Sequence, residues 1–423
     1  MPPEELGLEF PTLDDVDVAG KTVLVRVDIN SPIDPKTGEI LDDARIRECA
    51  PTIEELARRG AKVVVLAHQG RPGDEDFTTL ERHAKKLEEV LGFPVKYIED
   101  ILGPAARESI KRLRPGEVLM LENVRFCAEE NLNRPPEEQA RTHLVRKLAE
   151  LVDIYVNDAF GAAHRSQPSL VGFVELLPTV AGRLMERELR GLSRALSPER
   201  PCIYVLGGAK VDDSLRIIEN VIGKGTADEV LTGGLVGQTF IAAERDIGEP
   251  NLKFLLEKGF EKEIQRAKKL LLLHRNKIKI PLDVVVDEQG QPKEIAVEEL
   301  PTNLPICDIG SGTIQKYSET ITGAGTVVAN GPLGVFEKPA FARGTFEVLK
   351  AMANSKAFTI LGGGHIVAAA RAAGVAERMK HVSTGGGACI AFLSGEPMPV
   401  VEALVKAKRK GFRRVRKPAG GIA

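Results

Sequence analysis

Short runs of β-branched and aliphatic residues recur along the chain. They stand at Val23–Val27, Val63–Leu66, Val118–Leu121 and Ile154–Val156, then at Ile203–Leu206, Val230–Thr232, Val284–Val286, Ile306–Ile309, Val327–Ala329 and Phe358–Leu361. Most are continuously apolar rather than alternating, which predicts strands covered on both faces, the signature of parallel sheets flanked by helices. Helical periods lie between them. Pro51–Arg59 ends at Gly60, and Leu80–Leu91 ends at Gly92, as left-handed caps favour. A longer segment over 178–196 places Met185, Leu189, Leu192 and Leu196 on one stripe, and Pro198 stops it. Strand and helix alternate with no fixed-period repeat. The pattern predicts an α/β protein of two doubly wound parallel-sheet lobes joined by a long helix and hinge.

The turns after the strands differ between the halves. In the first half the strand ends are polar and charged: Arg26, Asp28 and Asn30, then His68 and Arg71, then Glu122 and Arg125, then Asn157 and Asp158. In the second half they are rich in glycine: Gly207-Gly208-Ala-Lys210, Gly233-Gly234, Gly331-Pro-Leu-Gly334, Gly362–Gly364 and Gly385–Gly387. Ligands of open α/β sheets bind beyond the carboxyl ends of the strands, so two lobes with different ligands are expected. The expected limits are residues 1–180 for the first lobe, 181–405 for the second, and a basic tail, 406–423, returning to pack on the first.

Composition narrows the class. Lys and Arg number 58 against 60 Asp and Glu, so no bulk charge points to nucleic acid or a membrane. The five cysteines are dispersed without a CxxC pair, as expected of buried small hydrophobes in a reducing compartment. The acidic first residues do not read as a signal peptide, and no apolar run is long enough to span a bilayer. A cytoplasmic monomer without nucleic-acid or membrane partners is the expectation. The basic run from Lys406 to Lys417 is interleaved only by Phe412, which fits a docking or solvated tail better than a nucleic-acid arm.

The first half supplies Arg45, Arg71, Arg125 and Arg165, with His68 and His164. Guanidinium groups match carboxylate and phosphate oxygens two at a time. One such arginine alone is usually a surface ion pair. A set placed just past strand ends points to a compact polyanion, with Asp28 and Asn30 for its hydroxyl groups. In the second half, glycine turns let backbone N–H groups approach phosphates, helix N-termini add a favourable dipole, and Lys210 supplies a mobile charge. A Walker P-loop, a G-x-G-x-x-G fingerprint, the protein-kinase HRD and DFG sets and an HExxH metal motif are all missing. Together these features predict phosphoryl transfer between a nucleotide and a small anionic metabolite.

Eight stretches in order resemble the phosphoglycerate kinase family over almost the whole chain. They are Arg26-Val-Asp28-Ile-Asn30-Ser-Pro32, Asp43-Ala-Arg45-Ile46, His68-Gln-Gly-Arg71-Pro72, Glu122-Asn-Val-Arg125-Phe126, Asn157 to Arg165, Gly207-Gly-Ala-Lys210-Val211, Asn330 to Glu337, and Ser383-Thr384 through Gly387. The resemblance implies 1,3-bisphosphoglycerate and ADP exchanging with 3-phosphoglycerate and ATP, with Mg²⁺ accompanying the nucleotide. It implies glycerate binding by Asp28, Asn30, Arg45, His68, Arg71, Arg125 and Arg165. Nucleotide binding would fall to Gly207, Gly208, Lys210, Gly233, Gly234, Asn330, Pro332, Glu337, Gly362, Gly363 and Gly364. Arg45, Lys210, Gly363 and Gly386 would act on the phosphoryl group in flight, as the lobes close on a hinge. The chain departs from most members at Ser214, where a second lysine is usual, and at His365, where an aspartate usually helps hold the metal-nucleotide. Gln69 departs too, in place of leucine. These changes resemble those of archaeal members. A catalytically silent nucleotide-binding protein is the alternative those positions suggest.

Overall fold

Val63, Val64, Val65 and Leu66 are all fully buried, on both faces of one strand, as their unbroken apolar run requires. The computed structural model describes residues 8–411. The chain divides into one unit of residues 1–189 with 397–423 and another of residues 190–396. The division thus falls after Leu189, where residue 180 was expected, and the chain re-enters the first unit at Pro397, before the expected tail.

Six strands form the first unit's sheet: β1 (Thr22–Val27), β2 (Lys62–Leu66), β3 (Val95–Tyr97), β4 (Val118–Met120), β5 (Ile154–Asp158) and β6 (Thr179–Ala181). They are parallel throughout, in the order β3-β4-β2-β1-β5-β6. The chain winds outward from β1 in both directions, so the crevice of this sheet opens beyond β1 and its neighbours. The helix Ala44–Arg58 buries Ile46, Cys49, Ile53 and Leu56 against one face. Each such aliphatic side chain stabilises the unit by about 1.5–3 kcal/mol over its exposed state. Pro51 was expected to open this helix but lies inside it. The buried stripe runs through both sides of the proline, and that burial outweighs one lost backbone hydrogen bond.

The segment 178–196 is not one helix. Thr179–Ala181 pairs with β5 as an edge strand, and the helix is Arg183–Leu196. Pairing satisfies the strand's backbone groups where a longer helix would leave β5 without a neighbour on that side.

The second unit contains β7 (Cys202–Leu206), β8 (Glu229–Thr232), β9 (Ile278–Lys279), β10 (Asp283–Glu288), β11 (Gln291–Ala296), β12 (Ile306–Ile309), β13 (Thr326–Asn330), β14 (Phe358–Gly362) and β15 (His381–Val382). Its main sheet is parallel, in the order β15-β14-β13-β7-β8-β9, and reverses between β7 and β13. The runs at Val284–Val286 and Ile306–Ile309 are not parallel strands. They belong to a separate antiparallel sheet, β11-β10-β12. A two-residue turn with positive φ at both Gln289 and Gly290 joins β10 to β11, and a hairpin that tight permits only antiparallel pairing.

The helix Pro399–Lys410 belongs to the first unit, where Lys406 Nζ bonds Glu137 at 2.5 Å and Glu175 at 2.7 Å. Arg413, Arg414, Arg416 and Lys417 of the basic run lie outside the described residues. Among the described residues no helix is long and apolar enough to cross a membrane.

Candidate functional site

Two sites stand at the carboxyl ends of the two parallel sheets, one in each unit. In the first unit β1 ends at Val27, and Asp28 follows it, nearly buried. Asp28 Oδ2 accepts from Arg45 Nη1 at 2.7 Å. A Cβ at Gly161 would stand 2.1 Å from that same oxygen, so glycine there leaves room for the Asp28–Arg45 pair. Asn30 Oδ1 accepts from the Gly70 N–H at 2.8 Å, tying the turn after β1 to the turn after β2. Gln69 reinforces this tie, exchanging two hydrogen bonds with the backbone of Ser31.

Arg125 lies in a short helical turn, Val124–Phe126, opened by Asn123. The Asn123 Oδ1 accepts the Arg125 N–H at 3.1 Å, while its Nδ2 donates to Gln69 and Thr78 carbonyls, each at 2.8 Å. The Arg125 guanidinium donates to the Gly70 carbonyl. Arg71 is exposed, and Arg45 and Arg165 are half-buried. Among the described residues, the buried Arg165 Nη1 and His164 Nδ1 have no hydrogen-bond partner.

The cations of this cluster oppose one another. Burial, then the charges of Arg165, Arg26 and Arg71, lower Arg125 to about 10. Burial and Arg71 lower Arg165 as well, opposed by Asp28. Burial holds His68 well below the ordinary histidine range, followed by Arg26, Arg125, Arg165 and Arg45. His164 is lowered by burial and by Arg165. Several cations thus repel one another in a partly desolvated space. A bound anion carrying several negative charges would reverse that cost.

In the second unit the exit turns of β7 and β13 interlock. The Gly207 N–H donates to the Asn330 carbonyl at 2.9 Å, and the Gly208 N–H to the Pro332 carbonyl at 2.7 Å. A Cβ at Gly207 would stand 2.3 Å from the Pro332 oxygen, and one at Gly331 2.2 Å from the Gly207 oxygen. Only glycines let these turns approach so closely. Beyond them lies a cleft of about 530 Å³.

Gly207, Gly208, Lys210, Gly234, Asn330, Pro332, Glu337, Gly363, Gly364 and Gly386 all line this cleft. Gly233 and Gly362 stand behind its wall: a Cβ there would meet Leu333 at 2.6 Å and the Cys389 sulfur at 2.8 Å, respectively. Helices starting at Val211, Gly234, Gly364 and Gly387 begin at or beside the cleft, with the positive ends of their dipoles toward it. Asp213 and Glu337 are its two carboxylates, and His365 lies on it as well.

The sequence pattern did not single out Leu235, Pro250, Phe254 and Ile306, which give the cleft its apolar lining. Phe254 lies on the helix Glu249–Glu257, and its only sequence signal was the Gly248-Glu-Pro250 helix start. Arg26 counts in the sequence among the charged groups at a strand end, but the pattern gave it no role in the site.

The family model described as phosphoglycerate kinase matches residues 13–396. A phosphoglycerate kinase of Methanothermus fervidus is 52% identical over 409 residues, covering 96% of this chain and 100% of that protein. One of Methanothermobacter thermautotrophicus is 54% identical over 405 residues, covering 95% and 98%. The crystal structure of phosphoglycerate kinase from Pyrococcus horikoshii superposes with a TM-score of 0.86 at 48% identity, over 95% of this chain and 100% of that one.

Proposed function

The chain belongs to the phosphoglycerate kinase family, whose reaction exchanges 1,3-bisphosphoglycerate and ADP with 3-phosphoglycerate and ATP, and we propose that its first unit binds the glycerate and its second the nucleotide. The observation that carries this division is the cluster of Arg45, Arg125, Arg165 and His68 at one sheet end, against a glycine-walled cleft at the other.

The chemistry follows from charge. A carboxylate oxygen of 3-phosphoglycerate attacks the γ-phosphorus in line, and the bond to the β-bridging oxygen breaks. The electron pair leaves on ADP, so no protein nucleophile is needed. The barrier is set by bringing anions together, and positioned cations and N–H groups lower it. Arg71, Arg125, Arg165 and His68 hold the phosphate and carboxylate. Asp28 and Asn30 take the hydroxyl. Arg45 and Lys210 neutralise the transferring group, and the N–H groups at Gly363 and Gly386 point at it. Gly207, Gly208, Gly234 and Asn330 surround the phosphates, Pro332 flanks them, and Glu337 accepts from the ribose. Gly233 and Gly362 support the wall from behind.

Mg²⁺ enters with the nucleotide as part of the substrate and screens its phosphate charge. Where His365 replaces the usual acid, the cleft's carboxylates are Asp213, paired with Arg216 at 2.5 Å, and Glu337; with Glu337 on the ribose, Asp213 is the one assigned to that ion. A coupled assay of ADP formation from ATP and 3-phosphoglycerate tests the whole. Turnover should require Mg²⁺ and vanish with chelator. Binding of both ligands without turnover would instead mark a silent nucleotide-binding protein.

A further inference from the structure

Arg26 is fully buried at the second-to-last position of β1, an expensive place for a charge. Its hydrogen bonds form a chain. Nε donates to Ser169 Oγ at 2.8 Å. Ser169 Oγ in turn donates to Glu130 Oε1 at 2.5 Å, and the Ser169 N–H to Glu130 Oε2 at 2.9 Å. Nη1 donates to the Val27 carbonyl. Nη2 stands 3.0 Å from His68 Nδ1.

A guanidinium has donors only and stays protonated. The His68 Nδ1 must therefore accept, which leaves the single ring proton on Nε2. Protonating Nδ1 would aim one N–H at another. We infer that Arg26 is a positioning residue that locks His68 as the neutral Nε2–H tautomer, with Glu130 holding Arg26 in place through Ser169. The charged groups that bear on His68 from the surrounding elements act in the same direction: Arg26 on β1, Arg45 on the helix Ala44–Arg58, Arg125 after β4 and Arg165 after β5. His68 is thus a fixed hydrogen-bond donor that carries no charge. In a site already crowded with arginines it adds direction without adding repulsion.

This inference rests on reading His68 as a glycerate contact, and the test separates the two. Histidine-selective ¹⁵N NMR on the full chain, with the signal assigned through His68→Gln, should show a proton on Nε2 and a bare Nδ1 from about pH 5.5 to pH 8.5, where an ordinary histidine titrates. A His68 ring that gains a second proton near pH 6, or carries its proton on Nδ1, would overturn the inference. In the charge-balanced variant R26M/E130Q, His68 should begin to titrate. The KM for 3-phosphoglycerate should then vary by about threefold or more between pH 6 and pH 8, while kcat changes less. A folded double variant whose tautomer and pH profile match the parent would also refute it. Should that variant not fold, the parent's titration decides alone. If His68→Gln leaves KM unchanged, the contact reading fails while the tautomer result stands.

Discussion

Gln69 holds the backbone of Ser31 from both sides: its Oε1 accepts the Ser31 N–H at 2.9 Å, and its Nε2 donates to the Ser31 carbonyl at 3.0 Å. The same amide reaches Asp76 Oδ2 at 3.2 Å and stands 3.0 Å from His83 Nε2. One buried side chain thus sets the spacing between the turn bearing Asn30 and the turn bearing Arg71. Gln69→Leu should leave the Ser31 amide and carbonyl unpaired, at about 1–3 kcal/mol for each buried group. Urea unfolding should show a lowered midpoint, and KM for 3-phosphoglycerate should rise. An unchanged midpoint would show that leucine packing compensates for the lost bonds.

Arg45 is only partly buried, and among the described residues its one ion pair is with Asp28. Asp28 keeps the Asn30 N–H but loses its cation, so Arg45→Ala should cost about 1–3 kcal/mol of stability and still leave a folded protein. Turnover should fall by about 100-fold or more if its guanidinium stabilises charge only in the transition state. Circular dichroism and steady-state kinetics on the same sample check both halves of the prediction. A folded variant with normal kcat would remove Arg45 from the phosphoryl path.

Gly363 has a φ of 95°, and a Cβ there would stand 2.7 Å from Asn330 Oδ1. Gly363→Ala should displace Asn330 at the cleft wall and strain the backbone by about 1–3 kcal/mol. Nucleotide KM should rise by about tenfold, equivalent to about 1.4 kcal/mol, with 3-phosphoglycerate KM nearly unchanged. Equal effects on both substrates would contradict the assignment of separate sites.

His83 is fully buried, and burial lowers it to about 4. The unfolded chain binds this proton near the ordinary value of 6.5, so the folded state binds fewer protons in between. Its contribution is intact above about pH 6.5 and is lost as pH falls toward 4. The loss amounts to about 3 kcal/mol at about 1.4 kcal/mol per pH unit. His83→Gln keeps a donor for Gln69 and removes the titration. Urea midpoints at pH 7 and pH 4.5 should fall less in the variant than in the parent. Other acid-sensitive groups, such as the buried Asp158, act in both proteins alike.

Local pattern carried the strand series, the arginine-rich first half and the glycine-rich second half. Each depends on neighbours in sequence: an unbroken apolar run demands burial on both faces, and a glycine pair after a strand permits close backbone approach. The spacing of Gly207 from Lys210 and of Asn330 from Glu337 was therefore legible, and those residues meet in one cleft. What tertiary structure decided was every relationship that depends on which strand ends lie side by side. Arg26 reads as a polar interruption in an apolar strand until β1 lies between β2 and β5, placing it against His68 and against Ser169, 143 positions away. Gly233 and Gly362 read like their neighbours but stand behind the wall, because packing against Leu333 and Cys389 turns them from the cleft. Phe254 reaches the cleft only through the path of its helix. Side-chain chemistry is local and can be read from residues, whereas adjacency is set by topology and burial of the whole sheet.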